Sequence, residues 1–281
     1  MSSPYVTTPK KRAPFSLEQE IIFTRVLRTP PNSPGQMKKG CQDSDGYVII
    51  SNLGSSRHLL RKVNVIEEKI NELKKKLITH AELVQGMIEK SIKGLLEKDE
   101  TFLIQAIEKD EPRANEYEIE IDEMCTTLIV TLQPKAIDLR TILMILKMNN
   151  DLERIGDHAV NISQSALVLI EQPLVKPLID IPRMSEEAKH MLNDAITSFI
   201  NADPQLARKV CERDSVVDSL RDQIIRELVT YMVSDAATIP RALHLLNISK
   251  NLERIADLST NICEDVIFLV EARVIKHHHQ E

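Results

Sequence analysis

The sequence of 281 residues contains no tryptophan, and Phe, Tyr and Trp together make up only 3% of it. A core must therefore be built mainly from aliphatic side chains, which suit long packed helices better than a β-sandwich. Only seven glycines are present, whereas a β-rich fold needs many tight turns. These shortages predict an all-α protein.

Long apolar segments are missing as well. No apolar run approaches the roughly 18 residues that cross a bilayer, and the first residues lack the pattern of a signal peptide. The four cysteines are scattered without metal-ligand spacing, which is typical of free thiols in a reducing compartment. They are Cys41, Cys125, Cys211 and Cys263. The sequence therefore predicts a cytoplasmic protein.

The net charge of −6 is unevenly distributed. Residues 1–60 hold eight basic and four acidic residues, a net +4, so the remaining chain carries −10. An acidic body disfavours nucleic-acid binding, since that binding depends on neutralising phosphates with Lys and Arg. We therefore expect no nucleic-acid partner.

Two stretches of the chain repeat each other. Residues 152–162 and 252–262 are identical at seven of eleven positions, and each begins Leu-Glu-Arg-Ile. Unrelated helical segments rarely match so closely in register, so the repeat predicts two copies of one structural unit.

Each copy carries an acidic pair. Glu153 and Asp157 are four residues apart, as are Glu253 and Asp257, so each pair stacks on one helix face. Two like charges at this spacing cost a helix roughly 0.2–0.5 kcal/mol. A hard cation such as Mg, Mn, Ca or iron would offset that cost, because such ions prefer carboxylate oxygens. The alternative is a solvated charged face balanced by Arg154 or water.

A facing helix could complete each acidic site. Two carboxylates do not fill the six or more coordination positions of a hard cation. The preceding helix of each half supplies a second pair four residues apart, Glu118 with Asp122 and Asp218 with Asp222. Steps of four also extend the acidic stripe to Asn149 and Asn161 in the first copy, and to Ser249 and Asn261 in the second, nearly opposite the apolar stripe.

The apolar periodicity predicts three helices in each half. They cover residues 59–97, 100–133, 137–171, 184–201, 205–234 and 238–275. Asp99 and Asp203 are expected to cap the helices that follow them. The prolines of residues 173–182 predict a linker. The predicted domains are a bundle at 59–172 and a bundle at 183–276.

The two ends of the chain differ from these bundles. Residues 1–58 are rich in Pro, Ser, Thr and Gly with weak periodicity, which is typical of a largely irregular extension. Within it, residues 17–27 could form a helix and 47–50 a strand. Residues 277–281 form a tail whose three histidines, His277–His279, could bind metal by themselves.

These residues resemble the PhoU family. The resemblance rests on the pattern Asn115-x-x-Glu118-x-x-Ile121-Asp122, on residues 133–140 (Gln-Pro-x-Ala-x-Asp-Leu-Arg) and on residues 151–162, and it covers about 59–276. It implies two tandem three-helix bundles with pseudo-twofold symmetry. It also implies a divalent or multinuclear metal (Fe, Mn, Mg or Zn) in each half. The implied ligands are Glu118, Asp122, Glu153 and Asp157 in the first half and Asp218, Asp222, Glu253 and Asp257 in the second, with Asn149, Asn161 and Asn261 as candidate polar neighbours.

The resemblance implies a negative regulator of phosphate uptake and of the phosphate-starvation response. It would act by contact between the ATPase of the phosphate ABC transporter and a sensor histidine kinase, as a homodimer that reaches the membrane only through its partners. Residues 1–58 have no counterpart in the family, and Ala256 replaces the glycine of its motif. The alternative is a metal-binding helical scaffold or adaptor without a role in phosphate signalling.

Enzymatic alternatives lack the residues they need. A di-iron oxidase needs two Glu-x-x-His motifs aimed into the core, and the chain has one, at residues 187–190. Metal-assisted hydrolysis of phosphate esters would need a nucleophile, a Gly-rich loop or convergent arginines beside the acids. His158 is expected to lie beside the site rather than to bind metal. We therefore predict that the protein is not an enzyme and has no catalytic residues.

Overall fold

Six helical rods make up the described part of the chain. The computed structural model describes the backbone of residues 53–272 and the side chains of residues 65–272. The helices are α1 (Leu53–Glu97), α2 (Glu100–Gln105), α3 (Glu111–Leu132), α4 (Ile137–Ile170), α5 (Asp180–Asn201), α6 (Pro204–Ser234) and α7 (Ile239–Glu271). A π-helical turn, Ala106–Asp110, joins α2 to α3 in one rod, and a 3₁₀ turn, Ala236–Thr238, precedes α7. Residues 53–272 contain no strand, which confirms the all-α prediction.

Aspartates cap two helices as predicted. Asp99 Oδ1 accepts a hydrogen bond from the backbone N–H of Thr101 at 2.9 Å. Asp203 Oδ1 accepts from the N–H groups of Gln205 and Leu206 at 2.9 and 3.1 Å. Each aspartate thereby satisfies donors that have no partner within the helix.

One proline sets a helix boundary, and another lies within the first turn of a helix. The end of α3 is Leu132, one residue earlier than predicted, and Gln133 is left-handed with φ 47°. The residue before a proline is disfavoured in the right-handed helical region, so Pro134 sets this end. In contrast, α5 begins at Asp180, four residues earlier than predicted, and includes Pro182. The first turn of a helix tolerates a missing N–H.

Other predicted boundaries shift at the two ends of the described chain. The first helix begins at Leu53 rather than at residue 59, and α7 ends at Glu271, before a left-handed Ala272 with φ 55°. Residues 273–275, which were predicted to continue α7, lie outside the described residues. The predicted helix at 17–27, the predicted strand at 47–50 and the His277–His279 run lie outside them too.

The rods form two sets of three around a continuous aliphatic core. In the first half α1 and α3 pack on α4, and in the second half α5 and α6 pack on α7. The halves meet where α4 packs on α7 and α1 packs on α5. Fully buried residues from both halves include Leu77, Met148, Ile155, Ile224 and Leu252. No helix within residues 53–272 combines the length and the hydropathy needed to cross a bilayer.

Contacts between α4 and α7 reveal the pseudo-twofold symmetry. Lys147 forms an ion pair with Asp265, and Asn247 donates a hydrogen bond to Ser165 Oγ at 2.8 Å. Position 147 becomes 247 when 100 is added, and position 265 becomes 165 when 100 is subtracted. The second contact therefore joins the positions equivalent to those of the first. The two copies of the repeat therefore face each other symmetrically across the α4–α7 contact.

The glycine replaced in the second copy has no strict structural role. A Cβ placed on Gly156 would lie 3.8 Å from Met87 Cε and from Val84 Cγ2, which is ordinary van der Waals contact. Ala256 occupies the equivalent position and is fully buried. In contrast, a Cβ on Gly94 would lie 2.5 Å from Leu103 Cδ2, so the close approach of α1 to α2 requires that glycine.

We expect Asp151→Asn to stabilise the protein by about 1–3 kcal/mol above pH 6. Asp151 is 9% exposed. Its burial and the charge of Asp265 raise its pKa from 3.8 to about 6, against the opposing charges of Arg154 and Lys147. The folded carboxyl therefore holds its proton more tightly than the unfolded one, so wild-type stability falls as pH rises from about 4 to 6.

Urea denaturation between pH 4 and 8 tests this expectation. The difference in unfolding free energy between wild type and Asp151→Asn should grow with pH up to about 6 and then stay constant. Glu89→Gln, which removes a carboxylate at an exposed position of α1, is the control variant. Parallel curves for wild type and Asp151→Asn would contradict the assignment.

Candidate functional site

Helices α3 and α4 bring four carboxylates onto one surface. The two helices run antiparallel across the short connection at 133–136, so the pair at 118 and 122 faces the pair at 153 and 157. We call Glu118, Asp122, Glu153 and Asp157 the first acidic group. Burial raises the pKa of both glutamates, and the neighbouring carboxylates raise it further. Glu118 therefore interacts with Glu153 and Asp157 across the two helices, and with Asp122 on its own helix.

A buried amide orients one of these carboxylates. Asn149 Nδ2 donates to Asp122 Oδ1 and to the backbone carbonyl of Glu118, both at 2.9 Å. Asn149 Oδ1 lies 3.0 Å from His80 Nδ1. Because the amide nitrogen already faces two acceptors, the amide oxygen must accept, so His80 Nδ1 donates.

The predicted polar stripe is only partly exposed. Asn149 and Ser249 are buried, at 0% and 1% exposed, because α4 and α7 are each covered by several helices. The prediction that this stripe lies opposite the apolar face is therefore wrong at these two positions. Asn161 and Asn261, one turn beyond Asp157 and Asp257, are exposed as expected.

Among residues 65–272, no Lys or Arg forms an ion pair with the first acidic group. Arg154, which lies between its two α4 members, contacts Asp151 Oδ1 at 3.7 Å instead. Over the same range no three His, Cys, Asp or Glu side chains converge closely enough to hold one ion, and like charges favour such spreading. Arg154 acts on Glu153 only through its charge, which opposes the rise of the Glu153 pKa. Four carboxylates without an ion-pair partner suit a hard divalent ion in charge and donor type. Rotation of the side chains would have to close the site.

The second acidic group, Asp218, Asp222, Glu253 and Asp257, has a different composition. Arg221 lies among its members, with Nη2 at 2.8 Å from Asp222 Oδ1 and Nη1 at 3.3 Å from Asp218 Oδ1. The same guanidinium forms an ion pair with Glu253. The hydrogen bond to Asp222 raises the pKa of Arg221. Three of the predicted carboxylates thus surround an internal cation that sequence reasoning missed, whereas Asp257 pairs with Arg254.

In the described part of the chain, neither His158 nor His190 forms a hydrogen bond or ion pair with a predicted metal ligand. His158 Nδ1 lies 2.8 Å from Asn251 Oδ1 on α7, so its ring joins the two halves. His190 is exposed, and Glu187 of the same motif forms an ion pair with Arg213.

A groove between α1 and α3 lies apart from both acidic groups. Its volume is about 550 Å³, and its lining includes Val65, Lys76, Met124 and Leu132. None of the eight predicted metal ligands lines this groove.

Comparison with known proteins places both halves in one family. The PhoU domain model matches residues 77–166 and 181–266. The phosphate-specific transport system accessory protein PhoU homolog of Aquifex aeolicus is 41% identical over 212 residues, which cover 75% of this chain and 96% of that protein.

Two crystal structures have a similar fold. PhoU from Pseudomonas aeruginosa superposes with a TM-score of 0.71 at 31% identity, covering 74% of this chain and 99% of that one. The phosphate transport system regulatory protein PhoU from Streptococcus pneumoniae superposes with a TM-score of 0.70 at 26% identity, covering 75% and 100%.

Proposed function

Because this chain belongs to the PhoU family, we propose that it is an accessory protein of a phosphate transport system that restrains phosphate uptake and the phosphate-starvation response. The observation that carries the proposal is the match of both halves, with 41% identity to a relative that is covered over 96% of its length. That relative is named an accessory protein of phosphate-specific transport, and a structural neighbour is named a regulatory protein.

The protein acts by contact rather than by catalysis in this proposal. Its partners are the ATPase of a phosphate ABC transporter and a sensor histidine kinase, which it meets as a homodimer at the cytoplasmic face of the membrane. The long helices support this mode, because they present broad charged surfaces to a partner. The acidic groups on them lie apart from the α1–α3 groove.

A divalent cation at the first acidic group belongs to the same proposal. Glu118, Asp122, Glu153 and Asp157 would hold it, and the hydrogen bond from the buried Asn149 fixes the position of Asp122. The cation would supply positive charge at a surface where four carboxylates repel one another. Binding would thereby change the charge of the face formed by α3 and α4, which we propose as a docking face.

Alkaline phosphatase output under phosphate control tests the regulatory function. A strain that lacks this protein should produce the enzyme at high level in abundant phosphate, and the full chain should restore low output. A sensor kinase and a transporter ATPase should also co-purify with the tagged chain. Low output in the deletion strain, with neither partner recovered, would contradict the proposal and favour a metal-binding scaffold without a role in phosphate signalling.

A further inference from the structure

Arg221 in the second half stands where the first half has a metal-ligand candidate. Three of the four buried residues of α3, Ala114, Ile121 and Cys125, coincide with buried residues of α6 when 103 is added to their numbers. Those partners are Val217, Ile224 and Leu228. The fourth, Leu128, falls on the exposed Tyr231. In this register Glu118 corresponds to Arg221 and Asp122 corresponds to Ile225. One carboxylate position therefore holds a cation, and another holds an apolar side chain.

The contacts agree with this register. Glu118 faces the α4 pair closely enough for the charge of Asp157 to raise its pKa. Arg221 faces the matching pair on α7 and forms an ion pair with Glu253. The carboxylates of Asp218 and Asp222 lie three residues out of register with those of α3, and both lie against the guanidinium.

A second arginine also has different contacts in the two halves. Arg254 Nη1 contacts Asp257 Oδ2 at 2.8 Å, whereas the equivalent Arg154 contacts Asp151. The difference follows from one substitution in the repeat, since position 251 is Asn rather than Asp. Without a carboxylate at that position, Arg254 has only the carboxylate of Asp257 as a nearby partner on its own helix face.

The two acidic groups differ in the number of carboxylates that are paired with a cation. The first group has four carboxylates and no ion-paired cation among residues 65–272, although the charge of Arg154 acts on Glu153. The second group has four carboxylates paired with two guanidinium groups, a net of −2. Arginine remains protonated at any pH at which the protein is folded. A metal ion entering the second group would therefore have to displace Arg221 and be repelled by it.

We propose that Arg221 takes the place of a metal ion in the second acidic group, so that this chain binds a divalent cation at the first acidic group alone. The proposal rests on the cation suggested above for the first group. In this proposal the two halves of a symmetric fold differ chemically. The first half binds a divalent cation, and the second half has an internal ion pair in its place.

Mn²⁺ binding to the full chain tests the proposal. Glu153→Gln and Glu253→Gln change equivalent positions in the two copies and serve as each other's control. Glu153→Gln should weaken Mn²⁺ binding by at least about tenfold, since changes even beside metal ligands typically cost that much. Glu253→Gln should leave the affinity and the number of bound ions unchanged. Mn²⁺ should raise the Tm of wild type and Glu253→Gln but not that of Glu153→Gln.

Arg221→Gln provides the second arm. Removing the guanidinium frees three carboxylates, so this variant should bind more Mn²⁺ than wild type does. Loss of binding in Glu253→Gln, or no gain in Arg221→Gln, would overturn the role of Arg221 while leaving the first site intact. No Mn²⁺ binding by wild type would overturn both metal proposals, whereas the regulatory function is tested separately by alkaline phosphatase output.

Discussion

Replacing Lys176 with methionine is expected to lower the free energy of unfolding by about 3 kcal/mol. The side chain of Lys176 is only 5% exposed, and Nζ lies 2.8 Å from Asp180 Oδ2. It also forms an ion pair with Glu227 of α6. Removing one partner of a buried pair costs about 3–5 kcal/mol, because the other charge stays buried without compensation. The lower value applies here because Glu227 is 40% exposed.

The ammonium group of Lys176 is charged despite its burial. Burial lowers its pKa, but the hydrogen bonds to Asp180 and Glu227 outweigh that effect and leave the pKa above its ordinary value of 10.5. Lys176 belongs to the connection between α4 and α5, and its partners lie on α5 and α6. The ion pairs therefore attach the connecting segment to the second half of the protein.

Urea denaturation at pH 7 measures the effect. Lys69→Met is the matched control, because Lys69 and its partner Glu72 are 49% and 56% exposed and such pairs contribute at most about 1 kcal/mol. Combining Lys176→Met with Asp180→Asn should recover part of the loss, since the more buried of the two carboxylates is then no longer left charged without a partner. Equal losses for Lys176→Met and Lys69→Met would show that burial of Lys176 contributes nothing.

The repeat, the helices and the acidic pairs on single helices could be predicted because each depends on local spacing. A carboxylate pair four residues apart lies on one helix face whatever its surroundings. Aspartate caps at 99 and 203 also depend on neighbours two or three residues away. Helix ends were harder to predict, since Pro182 can stand inside the first turn of α5 as readily as in a linker.

The register of α6 could not be read from the sequence. Asp218 and Asp222 have the same spacing as Glu118 and Asp122, and an offset of 100 aligns the two pairs as it aligns 152–162 with 252–262. The burial of Ala114, Ile121 and Cys125, together with the ion pair between Arg221 and Glu253, instead favours an offset of 103 between α3 and α6. The face that a helix buries depends on its neighbours, so the place of Arg221 becomes evident only once the helices are packed.

Long-range polar contacts were also missed, although one carried a signal. His80 stands three residues after Leu77 and four before Val84, which places it on the apolar stripe of α1. It is fully buried and bonds to Asn149, 69 residues away. A polar residue on an apolar stripe thus indicated a buried network. No such indication in the sequence predicts the hydrogen bond between the thiols of Cys211 on α6 and Cys263 on α7.

Phe199→Ala is expected to destabilise the protein by about 3–5 kcal/mol, because truncating a buried aromatic ring removes apolar burial and leaves a cavity. Phe199 is 2% exposed. Aromatic side chains make up only 3% of the sequence, and aliphatic neighbours on rigid helices cannot fill the space of a ring without shifting. Lys74 of α1 places its Nζ 5.8 Å from the ring centroid, so the ring also contributes to the contact between the two halves.

Comparison with Phe102→Ala separates packing from the cation contact. Lys93 Nζ lies 4.3 Å from the centroid of the Phe102 ring, but Phe102 is only partly buried. Both variants lose an aromatic ring beside a lysine, and only Phe199→Ala leaves a cavity in the core.

Phe199→Leu keeps most of the volume and should cost less than about 1.5 kcal/mol. If thermal and urea unfolding gave Phe199→Ala and Phe102→Ala the same loss, the cation contact rather than core packing would account for the stabilisation by Phe199. A loss at least twice as large for Phe199→Ala would instead identify the ring as part of the core that holds α5 against the first half.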